Sequence, residues 1–164
     1  MKLYHSSNIS VKNPDIVHSR DYLDFGKGFY LTSIYDQAVK YAQRFLRRQQ
    51  NAWLNAYEFD YNPSGWNVRE FPAYDKEWLD FVSKCRAGMD DSNYDIVIGG
   101  IANDKVIQTL DRYFDGELSE DETLGLLKYE KPNIQYCIRS QKMLDECLKH
   151  IESRELRPRK AKLH

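Results

Sequence analysis

The spacing of apolar and polar residues divides the chain into short segments with strand or helix patterns. Runs rich in aromatic and β-branched residues predict strands at residues 2–5, 29–32, 53–61, 66–71, 94–98 and 134–138. Apolar residues that recur every three or four positions predict helices that begin near residues 34, 75, 103, 119 and 140. Because strands precede, interrupt and follow the helices without regular alternation, the pattern predicts an α+β fold.

Capping and turn residues indicate where these elements begin and end. Ser33 with Asp36, and Ser119 with Glu122, have the spacing of a capping box. The last helix is expected to begin after a Ser140 cap. Its apolar stripe comprises Leu144, Cys147, Leu148 and Ile151.

The strands at 53–61 and 66–71 are separated by the turn sequence Asn62-Pro63-Ser64-Gly65, so we expect them to pair as a hairpin. Residues 1–153 are interpreted as a single domain. Residues 154–164 are basic and lack periodicity, so they are interpreted as a C-terminal tail that is disordered in isolation.

Composition and charge exclude several classes of protein. The chain of 164 residues is 41% hydrophobic and has a formal net charge of −1, so its overall charge favours neither nucleic acid nor membrane. It contains no apolar run long enough to span a bilayer and opens without an apolar signal segment, so we expect a cytoplasmic protein with no membrane partner. Cys85, Cys137 and Cys147 lie at apolar positions and are interpreted as buried thiols, not as a disulfide framework or a metal site.

Residues 24–42, with the sequence DFGKGFYLTSIYDQAVKYA, combine a glycine turn, a short strand and a helix. Gly26 and Gly28 allow a sharp turn or the close approach of a ligand. Tyr30 ends the strand and Tyr41 lies along the helix, so two aromatic rings can face one crevice. From the pattern alone, two core tyrosines are the alternative. The glycine spacing does not fit a phosphate-binding loop.

Two segments resemble motifs of the poly(ADP-ribose) polymerase branch of the ADP-ribosyltransferase superfamily. The opening LYHSS is similar to its first-strand motif, and FGKGFYLTS followed by Ala38 and Tyr41 is similar to its glycine–tyrosine segment. His5 matches the family histidine and Tyr30 the stacking tyrosine. Tyr41 matches the second aromatic residue of the nicotinamide sandwich. Ser6 stands where that branch has glycine, and Ala38 where it often has serine.

A third position follows from the late segment Asn133-Ile134-Gln135-Tyr136, in which Gln135 stands where the family commonly has glutamate. The resemblance implies a split β-sheet core with flanking helices and NAD in the crevice between its halves. It implies no metal. The implied catalytic residues are His5, Tyr30 and Gln135. The implied NAD-binding residues are His5, Ser6, Gly28, Phe29, Tyr30, Ala38 and Tyr41.

Gln135 can accept a hydrogen bond from the nicotinamide ribose but supplies no negative charge. A carboxylate about 4 Å from the developing cation is worth up to roughly 4 kcal/mol at an effective dielectric constant of about 20. Three explanations remain: an active glutamine-type enzyme, a carboxylate from elsewhere such as Glu70 or Asp104, or NAD binding without turnover. We favour the first. The absence of glutamate argues for transfer of a single unit and against polymer elongation.

The resemblance therefore implies a mono-ADP-ribosyltransferase that uses NAD to modify a protein or nucleic acid, as a toxin or effector with a possible antitoxin partner. The alternatives are an NAD glycohydrolase and a non-catalytic module that binds NAD or ADP-ribose. Arg20 is either a phosphate contact or a solvated residue. Arg44, Arg47 and Arg48 form a basic patch that is interpreted as a solvated face, with a nucleic-acid acceptor left open.

Overall fold

The computed structural model describes residues 1–19 and 23–157, which form two β-sheets and five α-helices. The residues Pro63–Gly65 form a short 3₁₀ turn. The α+β class predicted from the sequence is confirmed. The elements in chain order are β1 (Lys2–Ser7), β2 (Phe29–Leu31), α1 (Tyr35–Arg47), β3 (Ala52–Phe59), β4 (Val68–Phe71), α2 (Lys76–Arg86), β5 (Ile96–Ile101), α3 (Asp104–Phe114), α4 (Glu120–Leu127), β6 (Asn133–Ile138), α5 (Gln141–Cys147) and β7 (Leu148–Leu156).

In the described part of the chain, backbone hydrogen bonds join the two sheets at a single pair of residues. One sheet has the antiparallel order β1-β3-β7, and the other has the order β2-β6-β5-β4 with β4 parallel to β5. Tyr4 of β1 and Thr32, just after β2, exchange two backbone hydrogen bonds of 2.8 and 3.0 Å. This pair is an isolated bridge, so β1 and β2 are joined at one point and not along a ladder.

The four-stranded sheet buries both of its faces, because successive strand residues point to opposite sides. Val97 and Cys137 pack on one side with Trp78, and Ile96 and Ile138 pack on the other with residues of the three-stranded sheet. Helices α2, α3 and α4 contribute to the first core and α5 to the second. The sheet that contains Tyr30 and Gln135 is therefore held rigidly from both sides.

The predicted hairpin between residues 53–61 and 66–71 is wrong. β3 is the central strand of the three-stranded sheet, whereas β4 is the edge strand of the other sheet and pairs in parallel with β5. The 3₁₀ turn at Pro63–Gly65, with the Asn62 side chain accepting from Ser64, carries the chain from one sheet to the other.

The predicted last helix is only partly correct. α5 ends at Cys147, and Leu148 and Ile151 belong to β7, which pairs with β3 as far as Leu156. Residues 154–156 of the predicted tail therefore lie in a sheet. Residues 158–164 of that tail, and Arg20, lie outside the described residues.

Helix starts are predicted with mixed success. Ser119 and Glu122 form the expected capping box at α4. The predicted box at α1 is wrong: its N-cap is Ile34, no side chain caps the helix, and Thr32 Oγ1 accepts the Ile34 N–H at 3.1 Å. Within the described part of the chain, none of the helices has the length and apolarity needed to cross a membrane.

Candidate functional site

His5 lies on β1 and contacts the backbone of β2. Its Nδ1 is 2.7 Å from the carbonyl oxygen of Tyr30. Because a carbonyl only accepts, Nδ1 carries the proton and Nε2 keeps a free lone pair. Burial lowers the pKa of His5 to about 4, and the bond to Tyr30 opposes that shift only in part. The imidazole is therefore neutral at neutral pH and presents Nε2 as a hydrogen-bond acceptor.

Phe29 lies directly beneath this histidine. Its ring centroid is 4.1 Å from that of His5, and Tyr57 packs edge-on against its other side at 5.8 Å. Phe29 is only 7% exposed. It supports the imidazole ring and is placed among core residues, whereas the resemblance assigned it to the NAD-binding set.

Ser6 has its side chain and its backbone directed to different neighbours. Its hydroxyl donates to the Ala38 carbonyl of α1 at 2.5 Å. The backbone groups of Tyr4 point toward β2, and alternate residues of a strand direct their N–H and C=O to the same edge. The N–H and C=O of Ser6 therefore face the β2 side, beyond the bridge that joins the two sheets.

Tyr30 and Gln135 lie on neighbouring strands and on the same face of their sheet. Tyr30 pairs with Cys137 of β6, and Gln135 is two residues before Cys137, so the strand period places both side chains on that face. Gln135 is half-buried and pairs with Gly99 of β5. The structure thus brings together three strands that carry His5, Tyr30 and Gln135.

The hydroxyl of Tyr30 is fixed by the glycine turn. It donates to the Gly26 carbonyl at 2.6 Å and accepts the Phe25 N–H at 3.1 Å, and its ring is stacked with that of Phe25 at 6.5 Å. Burial raises the pKa of Tyr30 well above its ordinary value, with the Cys137 thiol and the Asp24 carboxylate contributing. The hydroxyl is therefore a structural group, and the half-buried ring is the part of Tyr30 that can contact a ligand.

Gly28 brings the same turn against β6. A Cβ atom at this position would lie 2.5 Å from Cys137 Sγ and 2.9 Å from the Ile138 carbonyl oxygen. The Gly28 N–H donates to Ser19 Oγ at 2.9 Å. Glycine is required here because the loop packs closely on the sheet, which places Tyr30 at its position.

Helix α1 carries the two remaining residues of the implied NAD-binding set, Ala38 and Tyr41. Ala38 is buried at the end of the hydrogen bond from Ser6, and Tyr41 follows one turn later with 40% of its surface exposed. The Arg44 guanidinium lies 5.0 Å from the centroid of the Tyr41 ring. Tyr41 is thus a surface residue next to the site, not a core residue.

Glu70, one of the two carboxylates proposed to replace glutamate, is not on the face that carries Gln135. Val68, two residues before Glu70, packs in the core shared with Tyr136, so Glu70 points to the face opposite Gln135. Asp104 is exposed in the first turn of α3.

Asp24 was not singled out from the sequence. Its Oδ1 is 2.6 Å from Arg86 Nη2, its Oδ2 accepts the Ala102 N–H at 2.9 Å, and its charge acts on Tyr30. Its only sequence signal was its place directly before the glycine turn.

Asn55 is a second residue that sequence reasoning missed. It is fully buried in β3, and its Oδ1 accepts from the Val11 N–H at 2.9 Å and from Ser153 Oγ at 2.6 Å. Its Nδ2 donates to the His5 carbonyl at 3.2 Å. Asn55 therefore ties the strand that carries His5 to the loop after it. The signal was an amide in the middle of an otherwise apolar strand.

A cavity of about 520 Å³ lies at the far end of β2 and β6, near Arg139. Its lining includes Lys27 and Asp90, and Arg139 Nη2 is paired with Asp90 at 2.8 Å. His5, Ser6 and Gln135 do not line it. The cavity is therefore separate from His5, Ser6 and Gln135, although Gly26 of the glycine turn lines it. Within the described residues, no group of His, Cys, Asp and Glu side chains is arranged to hold a metal ion.

Comparison with known proteins gives one match. A family model described as a protein of unknown function (DUF3990) matches residues 1–150. No curated protein and no solved structure matches the chain.

Proposed function

We propose a function for this chain, which belongs to the DUF3990 family: it is a mono-ADP-ribosyltransferase that transfers one ADP-ribose unit from NAD to a macromolecule. The observation that carries the proposal is the junction of β1 and β2. There the His5 imidazole bonds to Tyr30 and the backbone of Ser6 faces the same gap. The union of the two sheets at one bridge supports the proposal, because the resemblance implies NAD in a crevice between sheet halves.

The backbone edge of Ser6 is complementary to a carboxamide. Nicotinamide carries an NH₂ donor and a carbonyl acceptor on one group, and a strand residue offers one acceptor and one donor side by side. The Ser6 side chain does not obstruct this edge, because its hydroxyl is bonded to Ala38. We place the nicotinamide ring against the faces of Tyr30 and Tyr41.

The neutral His5 suits the contact with a ribose. A protonated imidazole would donate from both nitrogens, whereas the neutral ring with Nδ1–H bonded to Tyr30 offers Nε2 to a ribose hydroxyl. Gln135, on the neighbouring strand, orients the nicotinamide ribose through its amide oxygen.

The reaction breaks the bond between the ribose C1′ and the nicotinamide nitrogen, and the electron pair leaves with neutral nicotinamide. An oxygen or nitrogen of the acceptor forms the new bond to C1′ and gives its proton to solvent. Rigid placement of the ring and ribose lowers the barrier, because the cation-like transition state is held in a fixed geometry. Because Gln135 adds no charge, turnover is expected to be slower than in a glutamate enzyme.

The test is incubation of the protein with NAD labelled in the adenylate moiety and a cell lysate. We expect labelled macromolecule together with released nicotinamide. Gln135→Ala should lower turnover at least tenfold, whereas the matched change at an exposed glutamine of α3, Gln108→Ala, should not alter it.

The other outcomes separate the alternatives. Free ADP-ribose without a labelled macromolecule would identify an NAD glycohydrolase. Tight NAD binding by calorimetry without consumption would identify a binding module. Neither binding nor cleavage of NAD would overturn the proposal.

A further inference from the structure

One face of α1 carries an uncompensated cluster of positive charge. Its members are Lys40, Arg44 and Arg47 of α1 and the C-cap residue Arg48, all exposed. We call this set the α1 basic stripe. At about 100° per residue, the four side chains fall within an arc of roughly 100° around the helix. Within residues 1–19 and 23–157, the ion pairs involve other residues, so the stripe has no carboxylate partner there.

This local charge contrasts with the whole chain, whose formal net charge is −1. The acidic residue of the helix, Asp36, lies in its first turn, before the stripe begins. The field at this face is therefore positive although the protein as a whole is nearly neutral, and a polyanion is attracted to it.

The length of the stripe matches a strand of nucleic acid. Lys40 and Arg47 are separated by about 10 Å along the helix axis at 1.5 Å per residue. The phosphates of one strand follow one another at about 3.4 Å along the axis of a duplex, so the length of the stripe corresponds to roughly three phosphate intervals, or about four phosphates. Guanidinium groups add bidentate hydrogen bonds to phosphate oxygens.

An exposed aromatic ring lies beside the stripe. Tyr41 is 40% exposed and the Arg44 guanidinium lies 5.0 Å from its ring centroid, so an unpaired base can stack on the guanidinium side of this pair while the opposite face of the ring is left for the nicotinamide contact proposed above. Tyr41 is also one turn from Ala38, whose carbonyl holds Ser6. Around the helix, Tyr41 falls between the stripe and the buried face that carries Ala38, so a strand bound along the stripe approaches the candidate site on the side of Tyr41.

We propose that the α1 basic stripe binds single-stranded nucleic acid, and that this strand is the acceptor of ADP-ribose. The second half of this statement rests on the proposed function, whereas the first half does not. An acidic peptide or an anionic membrane supplies negative charge but no base to stack on Tyr41. A duplex supplies phosphates but keeps its bases stacked inside. The combination of stripe and ring fits an unpaired strand best.

The experiment measures binding of the full chain to a fluorescein-labelled 12-nucleotide RNA by anisotropy, at several NaCl concentrations. With four contacts and about 0.7 counterions released per contact, the slope of log K against log salt should be near −3. The double variant Arg44→Gln with Arg47→Gln should reduce that slope by about 1.4 and weaken binding at least tenfold at 50 mM salt. Tyr41→Ala should weaken binding with little change in slope.

The matched control is Lys84→Gln with Lys105→Gln, which removes the same charge from exposed positions on α2 and α3. It should bind RNA as the wild type does. Equal loss in both double variants would overturn the proposal, as would displacement of the RNA by polyglutamate or phosphatidylserine vesicles as readily as by unlabelled RNA.

Nicotinamide release, measured in the same preparations, separates the two proposals. Cleavage of NAD without RNA binding would overturn the inference and leave the proposed function intact. RNA binding without any binding of NAD would confirm the surface and overturn the assignment of the strand as acceptor. RNA binding together with transfer of label to the strand would support both.

Discussion

Replacement of His5 by glutamine should make the stability of the protein less dependent on pH. Burial lowers the pKa of His5 from 6.5 to about 4, so the folded protein holds the imidazole neutral where the unfolded chain protonates it. A group with a depressed pKa in the folded state binds more protons when unfolded. Its contribution to stability is fully present above pH 6.5 and is lost as the pH falls toward 4.

The magnitude follows from the two pKa values. With 6.5 in the unfolded chain and about 4 in the folded protein, the free energy of unfolding should fall by about 2 kcal/mol between pH 7.5 and pH 5. The full effect, below pH 4, is about 3 kcal/mol. Glutamine does not titrate in this range, so this component disappears. The change also removes a hydrogen bond to Tyr30, which costs about 1 kcal/mol at every pH and does not affect the slope.

Urea denaturation at pH 5, 6, 7 and 7.5 gives the free energy of unfolding at each pH. The wild type and the His18→Gln control, whose imidazole is 86% exposed, should show similar curves, and His5→Gln a shallower one. If His5→Gln lost as much stability between pH 7.5 and pH 5 as the wild type, the buried neutral imidazole would be refuted.

Three further predictions test the packing and the charge of the site. Gly28→Ala should destabilise the protein by about 1–3 kcal/mol because the new methyl group meets Cys137 Sγ at 2.5 Å. The control Gly125→Ala, whose new methyl group has no atom within 4 Å, should stabilise helix α4 by about 0.5–1 kcal/mol. Thermal melts in which Gly28→Ala is the more stable of the two variants would contradict this. Asn55→Ala should lower the free energy of unfolding by about 2–4 kcal/mol because buried partners lose their hydrogen bonds, and a change under about 0.5 kcal/mol in urea denaturation would disprove that role. Gln135→Glu should raise the rate of nicotinamide release about tenfold or more, and a lower rate with correct folding would argue against the position assigned to Gln135.

The elements that depend on local sequence were predictable. The strand of His5, the helix from Tyr35 and the capping box at Ser119 follow from residues close in the chain. β7 was not predictable in this way. Its pairing with β3 shifts register at Ala56/Tyr57, where the pairing passes from Glu152 to His150. The extra residue, Ile151, breaks the two-residue period, and together with Leu148 it continues the helical spacing of Leu144 and Cys147.

The candidate site likewise has one part that local sequence predicts and another part that it does not. The glycine turn, Tyr30 and Tyr41 lie in one segment and could be proposed together. The direction of the Ser6 backbone could not, because it depends on which strand lies on each side of β1. The contacts of Asn55 with Ser153 and of Asp24 with Arg86 join residues far apart in sequence. Such contacts are fixed only when the sheets and helices assemble.

Ser6 and Ala38 are two of the three positions at which the motifs of this chain depart from those they resemble, and the structure places these two in contact. The Ser6 hydroxyl donates to the Ala38 carbonyl at 2.5 Å. A glycine on β1 has no hydroxyl to donate, and a serine on the helix brings one from the other side. This chain therefore has its hydroxyl on β1, at Ser6, whereas the motif that it resembles often has one on the helix, at the position of Ala38. The strand edge that faces β2 keeps its N–H and C=O in both arrangements, because they belong to the backbone. These departures are thus consistent with a site that still binds a carboxamide, and Gln135 is the one change in the set that removes a charge.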